Sequence, residues 1–297
     1  MGIDFVYTVP ACADLFELAK SATGIDVFQL CEQGPEEELS LTQNTQPALV
    51  TTSLAIARAL EERGVKPDCV AGFSLGEYAA HAIARTISDE TALMLVARRG
   101  AMMAMAASQV QGGMAALLRC DLAQAAELCK KHAEAQGQVL APANINCPGQ
   151  VVISGQTEAL EAACADWKEQ GGKFSMVKTS GAFHSPLMQF AADRMKPALE
   201  MTGFAAPEID LYCNCTALPL EPGKAPEMLV RQITSPVLWE DTIRNMIADG
   251  VGTFVECGPG KVLTGMVKRT ARDMGAKVVH VCVETVEDME AFIDAQG

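Results

Sequence analysis

The chain has 297 residues, 49% hydrophobic and 20% charged, with a formal net charge of −14. At roughly 100–200 residues per domain this length suits one large domain or two smaller ones, and the apolar share excludes a disordered chain. No run of about 18 apolar residues is present, so no membrane-spanning helix is expected, and 37 acidic against 23 basic residues argue against nucleic-acid binding. Eleven cysteines without a C-x-x-C pair point to a reducing, cytoplasmic setting rather than to a disulfide scaffold. Met1-Gly2-Ile3-Asp4 has no basic segment leading into an apolar core, so no signal peptide is expected.

The amino-terminal third reads as alternating helix and strand. Residues 10–22 carry apolar side chains at helical spacing and Gly24 follows as a stop. Residues 33–39 form an acidic connection. Pro47, whose missing N–H is harmless at a first helical position, opens a helix over 48–63 that Gly64 ends. Residues 68–73 are a short strand, the chain turns at Ser74 into a helix over 75–87, and Ser88 caps the next helix. This alternation predicts an α/β fold with a parallel sheet.

The middle follows another plan. A strand at 113–119, a helix at 121–136, strands at 139–145 and 150–154, a helix at 157–169 and a strand at 173–178 give the order β-α-β-β-α-β, a ferredoxin-like unit. It reads as a subdomain over 111–180 inserted into a core made of 1–110 and 181–297. A helix from Pro186 to Met201, short strands around Leu211 and Val255, and two more helices complete the chain.

Gly72-Phe73-Ser74-Leu75-Gly76 is the sharpest local pattern. A G-x-S-x-G turn between strand and helix projects the serine hydroxyl from the sheet edge and points the next backbone N–H, that of Leu75, at a developing oxyanion. Such a serine needs a base. Among four histidines, His81 lies on the outgoing helix and points away, His132 follows two lysines and reads as solvated, and His280 sits in a strand-like run. His184, in the small-residue loop Ser180-Gly181-Ala182-Phe183-His184-Ser185-Pro186, is favoured. Arg98 and Arg99 interrupt an otherwise apolar helix. A buried guanidinium there needs an anion, either a structural carboxylate or a substrate carboxylate, and the pattern leaves open which arginine faces inward.

Gly72 to Tyr78 (GFSLGEY), Arg99-Gly100, Ala182 to Met188 (AFHSPLM), Val230 to Trp239 (VRQITSPVLW) and Glu256 to Leu263 (ECGPGKVL) resemble the malonyl-CoA:acyl carrier protein transacylases, the malonyltransferases of bacterial type II fatty acid synthesis. Asn44 to Leu49 (NTQPAL) and Ala141 to Gly155 extend the resemblance over nearly the whole chain. It implies an α/β-hydrolase-like core with a parallel sheet plus an inserted ferredoxin-like subdomain. It also implies Ser74 as nucleophile, His184 as base, Arg99 as the carboxylate-binding residue, Gln232 as the residue whose backbone carbonyl orients the histidine, and Phe183 as a selector of malonyl over branched groups. The implied reaction is ping-pong transfer of a malonyl group from the coenzyme A thioester to the phosphopantetheine thiol of acyl carrier protein, with no cofactor and no metal, by a monomer. Lys261, Lys268, Arg269 and Arg272 read first as a solvated helix face and, alternatively, as contributors to a positive surface for these anionic partners.

Two departures from the family pattern stand out. Phe73 replaces the usual histidine before the nucleophile. The family also begins with a strand and a GQGxQ loop that supplies a second oxyanion N–H, whereas here the match starts just after it. The expectation is that Met1 is an internal start and that Leu75 is left as the single donor. Two rival readings follow: a serine esterase of the α/β-hydrolase class, with His280 as base, and a catalytically impaired scaffold that binds carrier protein.

Overall fold

The computed structural model describes residues 1–295. Five helices precede the first strand: α1 (Ile3–Thr8), α2 (Pro10–Thr23), α3 (Val27–Gln33), α4 (Glu36–Leu39) and α5 (Thr42–Glu62). The amino-terminal third is therefore more helical than its sequence pattern suggests, and the connection at 33–39 contains the short α4. Pro47 does not open α5 but lies inside it. Leu41 O accepts from both Asn44 N and Thr45 N at 2.8 Å, starting the helix a turn earlier, and proline forfeits only the one bond to Gln43 O. Burial of α5 from Gln46 to Leu60 outweighs that loss.

Strand β1 (Cys69–Ala71) leads through Ser74 into α6 (Gly76–Ile83). That helix stops short of Ile87 because Arg85 takes a left-handed backbone, φ 61°. Helix α7 (Asp89–Gln109) starts at Ser88, whose Oγ accepts from Thr91 N at 3.1 Å. Gly100 lets α7 cross close to the start of α5: a Cβ there would lie 3.0 Å from Thr42 O and 3.1 Å from Gln43 Cα. This crossing brings the residue before Gly100 onto Gln46.

Next come β2 (Gly112–Leu118), α8 (Leu122–Gln136), β3 (Leu140–Cys147), β4 (Gln150–Gln156), α9 (Thr157–Glu169) and β5 (Lys173–Met176). The four strands form one antiparallel sheet in the order β3-β4-β2-β5, the ferredoxin-like arrangement. Strand alternation divides its two faces. Ala115 and Leu117 join Leu160 and Trp167 under the helices. On the opposite face Met114, Ala116, Ala143 and Val152 pack against Phe183 of the core. A bridge between Asn144 and Val237 also ties this sheet to the core.

The remainder holds a 3-10 turn over 186–188, α10 (Gln189–Met201), β6 (Asp210–Tyr212), α11 (Ala225–Thr234), α12 (Trp239–Ala248), β7 (Thr253–Cys257), α13 (Val262–Asp273), β8 (Val279–Val283) and α14 (Val286–Asp294). Four helices thus follow α10, where the pattern suggested two; α12 and α13 are amphipathic, burying Ile243, Met246, Met266 and Val267 in a common cluster. The parallel strands of the α/β core form two separate two-stranded sheets, β1 with β6 and β7 with β8, rather than one continuous sheet. Glu256 at the end of β7 accepts from Leu263 N at 3.0 Å and Thr264 N at 2.6 Å, so the ECGPGKVL segment starts α13 with an acidic cap. No helix among the described residues is long and apolar enough to cross a membrane.

Candidate active site

The elbow is strained and fastened. Ser74 has φ 53°, a left-handed conformation that costs a residue with a side chain about 1–2 kcal/mol. Asn214, just past β6, holds it from below: its Oδ1 accepts from Ser74 N at 2.7 Å and its Nδ2 donates to Gly72 O at 2.6 Å. Gln232 Nε2 donates to Ser74 O at 2.8 Å. Both Asn214 and Gln232 are fully buried, so these bonds form without competition from water. The two glycines of the motif differ. A Cβ on Gly72 would lie 2.0 Å from the carbonyl carbon and oxygen of Gly76, whereas one on Gly76 meets nothing within 4 Å. Only the first is required by space.

His184 lies 110 residues from Ser74 in the chain, and its Nε2 is 2.7 Å from Ser74 Oγ. Its loop is shaped by Ser185, whose Oγ donates to Ala182 O at 2.6 Å and accepts from Leu187 N at 3.3 Å. Nδ1 faces two backbone acceptors, Gln232 O at 3.0 Å and Ser235 O at 3.2 Å. Two carbonyls on Nδ1 require the proton there, which leaves Nε2 to accept the serine O–H. Burial, with Arg99 nearby, holds the imidazole down to about 4 against the two carbonyls, so it is neutral at pH 7.

The structure also resolves the arginine pair. Arg98 is exposed and donates to Arg194 O at 3.2 Å. Arg99 is 1% exposed. Its Nη1 donates to Gln46 Oε1 at 2.7 Å, and its Nη2 donates to Ser74 Oγ and to Gln232 Oε1, each at 3.0 Å. No carboxylate pairs directly with it among the described residues. The buried cation therefore sits on neutral oxygens beside the serine, an arrangement ready for an anion brought by a ligand.

The Leu75 N–H has no protein acceptor among the described residues and stands at the start of α6, where the helix dipole favours negative charge. Phe183 is half-buried against the ferredoxin-like sheet. The remaining histidines lie elsewhere. His81 is buried, with Nδ1 at 2.7 Å from Thr86 Oγ1. His132 is half-buried rather than solvated, because Asp166 Oδ2 lies 2.8 Å from its Nε2. His280 is on β8, paired with Phe254. Phe73 packs edge-on against Trp239 with ring centroids 5.4 Å apart, filling its place with apolar contact instead of an imidazole.

Four residues of the candidate site escape a reading of local pattern. Gln46 and Ser235 sit in segments conspicuous by resemblance alone, and nothing local marks Gln46 as the partner of Arg99. Asn214 follows a short strand in an unremarkable Cys-Asn-Cys run. Glu77 offered the one available hint, a charge entering an otherwise apolar helix.

Residues 1–295 match the model of the acyl transferase domain family. A malonyl CoA-acyl carrier protein transacylase of Bacillus subtilis is 40% identical over 97% of this chain and 90% of its own length. The solved structure of a malonyl CoA-acyl carrier protein transacylase from Coxiella burnetii superposes with a TM-score of 0.93 at 35% identity, covering 99% of this chain and 92% of that one. A type II PKS acyl-carrier protein in complex with its malonyl-transacylase matches at TM-score 0.92 and 35% identity, over 98% of this chain and 94% of that one. With a serine elbow, a neutral imidazole and a buried guanidinium converging in a fold shared along its whole length, the chain belongs to the acyl transferase domain family.

Proposed function

We infer that this chain is an acyl-carrier-protein S-malonyltransferase, moving a malonyl group from malonyl-CoA to the thiol of acyl carrier protein for fatty acid synthesis. The observation that carries the reading is Ser74 Oγ held between His184 Nε2 at 2.7 Å and Arg99 Nη2 at 3.0 Å. A nucleophile, a base and a fixed cation for the free carboxylate are what transfer of a dicarboxylic half-thioester needs.

In this mechanism His184 takes the Ser74 proton as Oγ attacks the thioester carbonyl, and the Leu75 N–H stabilises the oxyanion. Coenzyme A leaves as the thiol after receiving that proton from the imidazolium. The Gln232 and Ser235 carbonyls stabilise the imidazolium in place of the usual carboxylate. Arg99 releases Ser74 Oγ and binds the malonyl carboxylate, while Gln46 and Gln232 keep its guanidinium in plane. Phe183 borders the acyl site and limits branching. The carrier-protein thiol then attacks the malonyl-serine ester by the same route in reverse. Side chains and backbone groups of this chain carry each of these proposed steps.

We further propose that 111–180 acts as a distinct subdomain covering the site, that the exposed Lys261, Lys268, Arg269 and Arg272 on and beside α13 meet the acidic carrier protein, and that the setting is cytoplasmic, in keeping with eleven unpaired thiols. Intact-mass analysis after mixing with malonyl-CoA tests the central reading. A malonyl adduct on Ser74 that is discharged by carrier protein, absent in Ser74→Ala and unaffected by His280→Ala, is expected. An unmodified wild-type chain would sink it, and loss of acylation in His280→Ala would favour the esterase arrangement.

A further inference from the structure

Glu77 lies in the first turn of α6, three residues past the nucleophile and fully buried. Its Oε2 accepts from Gln232 Nε2 at 2.6 Å and from Asn214 N at 3.3 Å. The same Gln232 Nε2 donates to Ser74 O at 2.8 Å. A carboxamide nitrogen has two hydrogens, and here each is aimed at an acceptor. The amide oxygen is thereby turned the other way, where it accepts from Arg99 Nη2 at 3.0 Å. A flipped amide would set its NH2 against the guanidinium N–H and its oxygen against the Glu77 carboxyl and the Ser74 carbonyl. Each of those is an unpaired buried contact.

We propose that Glu77 is a positioning residue: it locks the Gln232 carboxamide so that its oxygen aims Arg99 at the acyl carboxylate, and so sets the preference for acyl groups that end in a carboxylate. The proposal rests on reading Arg99 as the carboxylate clamp. It makes no demand on the charge of Glu77. Burial pushes this carboxyl up to about 7 despite its hydrogen bonds and the nearby cation, so protonated and ionised forms coexist near neutrality. In either form Oε2 remains an acceptor for Gln232.

The test is competitive loading of the full chain with equimolar malonyl-CoA and acetyl-CoA, the latter lacking the carboxylate that Arg99 reads. Adducts on Ser74 are resolved by intact mass at short times. Glu77→Ala is expected to lower the malonyl-to-acetyl ratio about tenfold or more, the scale of a misplaced charge-assisted bond. Glu77→Gln, which keeps the acceptor, is expected to stay within about threefold of wild type. Glu77→Met preserves side-chain bulk and takes the place of the alanine variant if that one does not fold. An unchanged ratio in Ala and Met, with both acyl groups loading more slowly, would reduce Glu77 to a packing role and overturn the proposal. A fall in Glu77→Gln as deep as in Glu77→Ala would overturn it too, because charge rather than the acceptor would then matter. Failure of the wild type to take malonyl at all strikes instead at the reading of the site itself.

Discussion

In the proposed mechanism a serine hydroxyl becomes a nucleophile through the placement of one proton. The Gln232 and Ser235 carbonyls keep the His184 proton on Nδ1, and burial keeps the ring neutral well below the usual histidine range. The sign of the pH dependence follows. The neutral ring is the competent form, so protonation removes the base, and kcat/KM for Ser74 acylation should hold through neutrality and fall only as pH drops through about 4. A pH–rate profile with its acid limb near neutrality would contradict this. If Ser74 and His184 act as the unit proposed above, their losses should not add. His184→Ala should slow acylation by about 10²–10⁴, while the double variant with Ser74→Ala should be no slower than Ser74→Ala alone. Single-turnover loading measures the first, and residual malonyl transfer to carrier protein above the uncatalysed rate compares the two variants that lack Ser74.

Elements deliver these side chains through two close approaches. Gly72 allows the end of β1 to touch the first turn of α6, and Gly100 allows α7 to cross α5 so that Gln46 reaches Arg99. Gly72→Ala should therefore destabilise by about 3 kcal/mol or more, since the Cβ meets backbone that cannot move aside. Gly76→Ala should change stability by no more than about 1 kcal/mol, with helix propensity in its favour. Thermal denaturation of the two variants side by side distinguishes them, and equal losses would mean that the motif's glycines share one role. The elbow itself was legible from Gly72 to Gly76. Its fastening by Asn214 was not, because 140 residues separate donor from acceptor and neither local period nor turn chemistry reports such a pair.

At the scale of the whole molecule, a net charge of −14 opposes association with an acidic carrier protein, so the interaction must depend on local cations. Lys261, Lys268, Arg269 and Arg272 are all exposed, the last three on α13 and Lys261 just before it. Transfer of malonyl to carrier protein should weaken as salt rises, because the Debye length falls from about 10 Å at 0.1 M to about 3 Å at 1 M. Transfer to free pantetheine, an uncharged thiol, should be nearly insensitive. Comparing the two acceptors across a salt series, with charge reversal at Lys268 and Arg269, checks the assignment. Identical salt curves would remove this surface from consideration.

The chain's own order of residues determined which segments become helix or strand in the ferredoxin-like unit, where the serine turn falls, and that a guanidinium lies on an apolar helix. Each of these rests on contacts between near neighbours, such as the Asp121 capping box and the strand–turn–helix around Ser74. Tertiary structure alone decided that α5 begins ahead of Pro47, that His132 pairs with Asp166, and that Gln46, Glu77, Asn214 and Gln232 surround the serine. Those outcomes depend on buried polar groups finding partners across the fold, and a polar side chain in an apolar run does not disclose which distant atom will satisfy it.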